Sequence, residues 1–190
     1  ILGYTHISLD HESILGKTLK KITIEKSKAI INKNQTTFSV KQKPLVENIL
    51  NKRVSKNQFK KITTTPPIKY NLKYLRGEHQ KTNGGLAAAI AEHLYSKKHF
   101  LKLTQKSIQR LIINTKWPGR FDILSKKPTL IFDVGHNTEG IKSFIKTLSL
   151  YLQTNKFSQK TLLCGFENNK NINSELLHIA KLFDKIVCTE

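Results

Sequence analysis

The 190-residue chain contains no methionine and only two cysteines, Cys164 and Cys188. Each cysteine lies inside an apolar, strand-like run, so the pair reads as small buried hydrophobes in a reducing compartment rather than a disulfide framework or a metal site. Long apolar runs are missing too. None approaches the roughly 20 residues that span a membrane, so no membrane partner is expected. Residues 1–190 hold no charged segment leading into an apolar one of the secretory kind. The G-x-x-x-x-G-K-[ST] phosphate loop is absent, and Val134–Gly140, VGHNTEG, lacks G-x-G-x-x-G spacing, so neither a Walker loop nor a dinucleotide fingerprint is present. The lack of methionine, a start inside the apolar run ILGYTHIS and an end after KIVCTE lead us to expect an internal fragment of a longer chain.

Acidic residues are scarce, 13 Asp+Glu against 33 Lys+Arg, which gives a net charge of +20. Such an excess raises the question of a nucleic-acid partner. Most of the basic residues, however, are lysines spread along the whole length among abundant Ile and Asn. There is no basic stripe, arginine cluster or interleaved aromatic pattern of the RRM kind. Solvated lysine accounts better for the charge, and no nucleic-acid partner is expected.

What is present is organised around Thr115–Gly140, TKWPGRFDILSKKPTLIFDVGHNTEG. Trp117-Pro118-Gly119-Arg120 forms a turn that presents one guanidinium. A strand FDIL, a Lys-Lys-Pro turn and an apolar strand TLIF follow, and TLIF stops at Asp133. Gly135-His136-Asn137 then leads into a helix with Glu139 in its first turn. A carboxylate, an imidazole and free backbone N–H groups thus meet where a strand ends and a helix begins, the place where open α/β sheets bind anionic ligands. An ordinary strand-to-helix turn with Asp and Asn as local caps fits the same residues.

Taken in order, residues 1–7 predict a buried strand and residues 8–12 a polar loop. Thr18 caps a helix with Leu19, Ile22 and Ala29-Ile30 on a loose apolar face, and Thr36–Val40 forms a strand. Pro44 opens a helix through Leu45, Val46, Ile49 and Leu50. Residues 51–76 read as short strands and surface loop, broken by Pro66-Pro67. A clear helix runs from Gly77 to about Tyr95 with Leu86, Ala87, Ile90, Ala91 and Leu94 on one face, and another follows Thr104 with Ile108, Leu111 and Ile112. The domain boundary falls near 114–117. Beyond it, Ile141, Phe144, Ile145 and Leu148 mark a helix, TLLCGF a buried strand, Ser174–Phe183 a helix and KIVCT a strand. That βαβαβ alternation describes a parallel sheet with helical cover, so the fold class is α/β.

Singly, the remaining polar residues are ambiguous. His11, beside Asp10 after a strand, suits either a metal ligand or a hydrogen-bonded structural role. Lys26 is one lysine among many, and Asn83 is by default a polar residue near a helix start. Their order and spacing carry more. SLDHESILGKTLKKITIEK, GEHQKTNGGLAAA, WPGRFDIL and FDVGHNTEG, spread over residues 8–140, together resemble the folylpolyglutamate synthase family, which includes bifunctional dihydrofolate/folylpolyglutamate synthases, within the Mur ligase superfamily. The matching family blocks are [GS]-x-D-H-x-x-x-L-G, E-K-A-G-I, H-Q-x-x-N-A, W-P-G-R and D-G-A-H-N.

The resemblance implies the tail of a Mur-ligase-type central ATPase domain over 1–114 and an incomplete, small Rossmann-like C-terminal domain over 115–190. It implies a cytoplasmic, ATP- and Mg²⁺-dependent amide ligase. ATP phosphorylates a pteroate or folate carboxylate, and the amine of L-glutamate attacks the acyl phosphate. By the family pattern His11 is a Mg²⁺ ligand, and Lys26 is the carbamylated lysine that helps place the metal. Carbamylation needs a neutral amine, so Lys26 would have to be shielded from water. Asn83 would contact adenine, Arg120 the ATP phosphates and Asp133 the ribose end, with His136 close to the reacting phosphate. These small-molecule substrates would be handled by a monomer in a cleft between the two domains, and the fragment alone is expected to be inactive. The chain departs from the pattern at Ser27-Lys28-Ala29, at Gly84 and at Val134-Gly135. The first departure puts the carbamate in question; the others exchange small residues. A Mur-type peptide ligase and a non-enzymatic basic binding protein are the alternative classes; the HQ…N and WPGR blocks argue against the former.

Overall fold

A computed structural model describes residues 1–97, 104–166 and 173–189. The chain divides into two compact units, residues 1–74 with 78–116, and residues 75–77 with 117–190.

In the first unit, β1 (Leu2–Tyr4), β2 (Thr37–Val40) and β3 (Thr63–Thr65) form a parallel sheet in that order, with Leu2 beside Thr37 and Phe38 beside Thr63. Parallel sheets need apolar cover on both faces, and this one has it. Tyr4 packs with Ile7, Ile22, Ile30, Val46, Leu50 and Val54 beneath α2 (Leu19–Ser27) and α3 (Pro44–Lys56). Phe38 and Val40, two residues apart and so on one face of β2, meet Leu86, Ala89 and Ile90 of α4 (Glu78–Ser96).

Local chemistry sets the helix starts. The Thr18 hydroxyl accepts the Lys21 N–H at 3.2 Å, and Pro44 occupies the first turn of α3. Thr104 and Ser107 form a reciprocal capping box on α5 (Gln105–Ile113). Gly84 and Gly85 let α4 approach the chain closely: a Cβ on Gly85 would run into the Pro66 carbonyl oxygen, and one on Gly84 would lie 2.8 Å from Ile68 Cδ1.

Several expectations need correction. The first strand has three residues rather than seven, and a four-residue helix, α1 (Glu12–Leu15), follows His11. Residues 51–56 continue α3, because Val54 supplies the next apolar position after Leu50. Ala87 is exposed, since the covered face of α4 runs through Gly84, Gly85 and Leu86.

In the second unit, β4 (Asp122–Lys126) and β5 (Thr129–Phe132) form an antiparallel hairpin with a register shift at Leu124. β6 (Thr161–Cys164) and β7 (Lys185–Cys188) pair in parallel. α6 (Thr138–Thr154) and α7 (Asn173–Ala180) are joined by the Lys142–Glu175 ion pair at 3.4 Å. Phe121, 3% exposed, sits against the Phe144 and Tyr151 rings of α6, with Ile141, Leu148 and Ile179 also buried. TLIF therefore bonds to FDIL rather than to the later strands among the described residues. It is not buried throughout: Leu130 and Phe132 alternate outward, at 54% and 47% exposure. β6 and β7 are likewise open, and Cys188 is exposed rather than buried, with Cys164 half-buried. A continuous apolar run specifies strand but not which face is covered.

Candidate active site

The WPGR turn and the DVGHN loop are tied together by one backbone–backbone bond and by the Asp133 carboxylate. Gly119 has φ +72° and Phe121 φ +47°, so the chain turns sharply on either side of Arg120. Such a conformation in a bulky residue persists only when its surroundings hold it. Here the Phe121 N–H donates to Asp133 Oδ2 at 2.8 Å, and the Val134 N–H donates to the Gly119 carbonyl at 3.0 Å. Asp133 Oδ1 accepts the Gly135 N–H, also at 2.8 Å. One carboxylate thus spans both turns and uses each oxygen once.

This arrangement leaves Arg120 exposed, on a backbone fixed on both sides. The loop continues into α6, where Asn137 Oδ1 caps the helix by accepting the Gly140 N–H at 2.8 Å. His136 Nδ1 lies 3.0 Å from the Val134 carbonyl. A carbonyl only accepts, so this bond puts the proton on Nδ1 and leaves Nε2 directed away from it. Gly135 packs on Gly140, where a Cβ would sit 3.1 Å from the Gly140 carbonyl carbon. The second unit therefore groups a guanidinium, an imidazole and a long helix's start on two linked loops. That grouping suits an anion.

The first unit carries the other three residues. His11 adopts φ +53° at the start of α1, its N–H bonded to Asp10 Oδ1 at 2.9 Å and its Nε2 3.7 Å from Asp10 Oδ2. Lys26 lies one residue before the end of α2 and is half-buried; its carbonyl accepts the Tyr4 hydroxyl at 2.8 Å. Asn83, also half-buried, has its amide nitrogen 3.4 Å from Oε1 of buried Gln80. No group of three or more His, Cys, Asp or Glu suited to a metal occurs among the described residues.

Sequence reasoning missed Gln42. Its buried side chain accepts the Ile7 N–H at 3.0 Å and donates to the Thr5 carbonyl at 2.8 Å and to Ser39 Oγ at 3.2 Å. It ties the segment after β1, which leads to Asp10-His11, to the end of β2. The only local signal was a glutamine just past an apolar strand.

The fold is mixed α/β with parallel sheets, and solved folylpolyglutamate synthases share it. An FPGS–AMPPCP–folate complex superimposes over 100% of this chain and 51% of that one, with TM-score 0.81 and 21% identity. Mycobacterium tuberculosis folylpolyglutamate synthase complexed with ADP does so over 100% and 47%, with TM-score 0.75 and 22% identity. In sequence, the chain is 29% identical over 188 residues to the folylpolyglutamate synthase of Saccharomyces cerevisiae strain AWRI796, covering 92% of this chain and 34% of that protein. With the strain S288c enzyme it shares 32% identity over 152 residues, 73% of this chain and 27% of that one. No family model matches. The resemblance carried by the four motif blocks thus extends across the chain, which is similar to folylpolyglutamate synthases in sequence and in fold and spans about a third of the curated relatives' length.

Proposed function

We propose that this chain is part of an ATP-dependent ligase that joins L-glutamate to dihydropteroate or a reduced folate through an acyl phosphate, working as a monomer in the cytoplasm. The observation that carries the reading is the Asp133 carboxylate holding the WPGR turn against the DVGHN loop, so that Arg120 stands on a fixed backbone tied to the loop that carries His136. Acyl-phosphate chemistry needs positive charge preorganised around the transferring phosphoryl group. Arg120 would grip the ATP phosphates, His136 would lie close to the reacting phosphate, Asp133 would meet the ribose end with its remaining lone pairs, and Asn83 would contact adenine.

Mg²⁺ would be held by His11. The exposed imidazole with Asp10 beside it fits an ion that takes few protein ligands and fills its shell with water and phosphate oxygens. Bound, the ion would neutralise charge on the phosphates. Lys26, half-buried at a helix end, is the proposed carbamylation site. No helix among the described residues is long and apolar enough to cross a membrane.

Titration calorimetry with ADP and with AMPPCP tests the reading. The chain is expected to bind both, and not to hydrolyse ATP, since its 190 residues contain no phosphate loop. RNA affinity that falls steeply with salt, together with no nucleotide binding, would instead mark a basic binding protein.

A further inference from the structure

The two cysteines lie 24 positions apart, yet they are direct partners across the β6–β7 ladder. Their sulfurs are 3.9 Å apart. From this juxtaposition we propose that Cys164 and Cys188 form a redox-active dithiol that a hydroperoxide converts reversibly to an intramolecular disulfide.

The geometry allows it. Adjacent strands run about 4.8 Å apart, inside the Cα separation of roughly 4.4–6.8 Å that disulfides bridge. Closing the sulfur gap to a bond needs about 2 Å of travel, within reach of side-chain rotation and a small strand shift. The two thiols also differ in access. Cys188 is exposed and meets an oxidant first, whereas Cys164 is half-buried beside it. Burial, then the neighbouring Cys188 sulfur, raises the Cys164 pKa, which suits the thiol that reacts second.

The chemistry balances without any other group. The Cys188 thiolate attacks the outer oxygen of the peroxide; the O–O bond breaks, an alcohol or water leaves, and Cys188 becomes a sulfenic acid. Cys164 attacks that sulfur, the S–S bond forms, and the departing hydroxide takes up the Cys164 proton as water. Two electrons pass from the thiol pair to the peroxide. The product staples β6 to β7, a pair of strands otherwise open on their faces.

The purified 190-residue chain, treated with hydrogen peroxide and then a maleimide, gives the test by intact mass. The expected product has lost two hydrogens, takes up no maleimide and regains two reactive thiols with dithiothreitol. Cys164→Ser should stop at a Cys188 sulfenic acid that dimedone traps, and Cys188→Ser should show much slower oxidation. Because both substitutions lie at accessible positions of a strand pair, circular dichroism should match the parent and separate loss of fold from loss of chemistry. Two maleimides still added after peroxide, oxygen adducts on both cysteines of the parent, or disulfide-linked dimers in place of the intramolecular product would overturn the proposal.

Discussion

Asp133 Oδ2 accepts the backbone N–H of Phe121 at 2.8 Å, joining the end of one strand to the residue before the strand beside it. Phe121 is held at φ +47°, and its ring goes into the α6 core rather than out to solvent. The carboxylate is therefore a positioning group for the Arg120 backbone, whatever else it touches. Asp133→Ala leaves two N–H groups without their acceptor and should cost about 1–3 kcal/mol of stability. Asp133→Asn keeps one oxygen acceptor and should lose less. Urea unfolding of the three proteins measures this; equal stability would mean that the turn holds itself.

Gly119 gives a related expectation. Its φ of +72° disfavours any side chain, and a Cβ would lie 2.7 Å from Val134 Cγ1. Gly119→Ala should destabilise by about 1–2 kcal/mol from conformation, with the clash adding to it. Val134→Ala in the same chain removes the tightest contact and leaves the conformational cost together with Phe132 Cε1 at 3.2 Å from the new Cβ. Partial recovery in the double variant is expected. Full recovery would show that the backbone conformation contributes nothing.

These loops were legible in the sequence because turn chemistry is local. Pro118-Gly119 announces a turn, and Asn137 followed by an apolar period announces a capped helix. The helices from Thr18, Pro44 and Gly77 were readable for the same reason. Burial was less so. TLIF, TLLC and KIVC are apolar after their first residue, and nothing local says that Leu130, Leu163 and Ile186 face outward. Distance hid the rest. The Asp133–Phe121 bond spans 12 positions and the Gln42–Ile7 bond 35, so neither has a sequence period. His11 and Lys26 were singled out through motif order alone, which names residues without giving their partners.

Tyr4 gives the unit around β1 a pH dependence. Its hydroxyl is pushed up from 10.0 to about 12, chiefly by burial, with the Arg53 charge working the other way. A folded state that keeps this proton more tightly than the unfolded chain is fully stabilised below pH 10.0 and loses that increment as pH rises towards about 12. Tyr4→Phe has no such ionisation. It should lose about 1 kcal/mol at neutral pH, for the bond to the Lys26 carbonyl, and then fall less steeply in alkali. Unfolding free energies at several pH values across this window, for both proteins, decide it. Parallel curves would assign the alkaline loss to other groups.

Arg120 separates a ligase from an ordinary α/β turn. Its side chain is exposed, while its backbone lies between Gly119 and Phe121, both of which are bonded to the loop after β5. Replacing it removes a charge and little packing, so Arg120→Ala should leave the thermal midpoint nearly unchanged. If the guanidinium meets phosphate, ADP and AMPPCP should bind more weakly, with AMPPCP losing more because it carries the additional charge. Arg120→Lys should recover part of the charge but not the two-pronged geometry. In a complete enzyme containing this chain, Arg120→Ala should lower kcat by about 10²-fold or more, the scale for removing a group that stabilises charge in the transition state. Calorimetry on the chain and glutamate ligation by the complete enzyme give independent readings. A variant that unfolds yet, when folded, ligates glutamate at the parent rate would make the WPGR turn purely structural and remove the phosphate role.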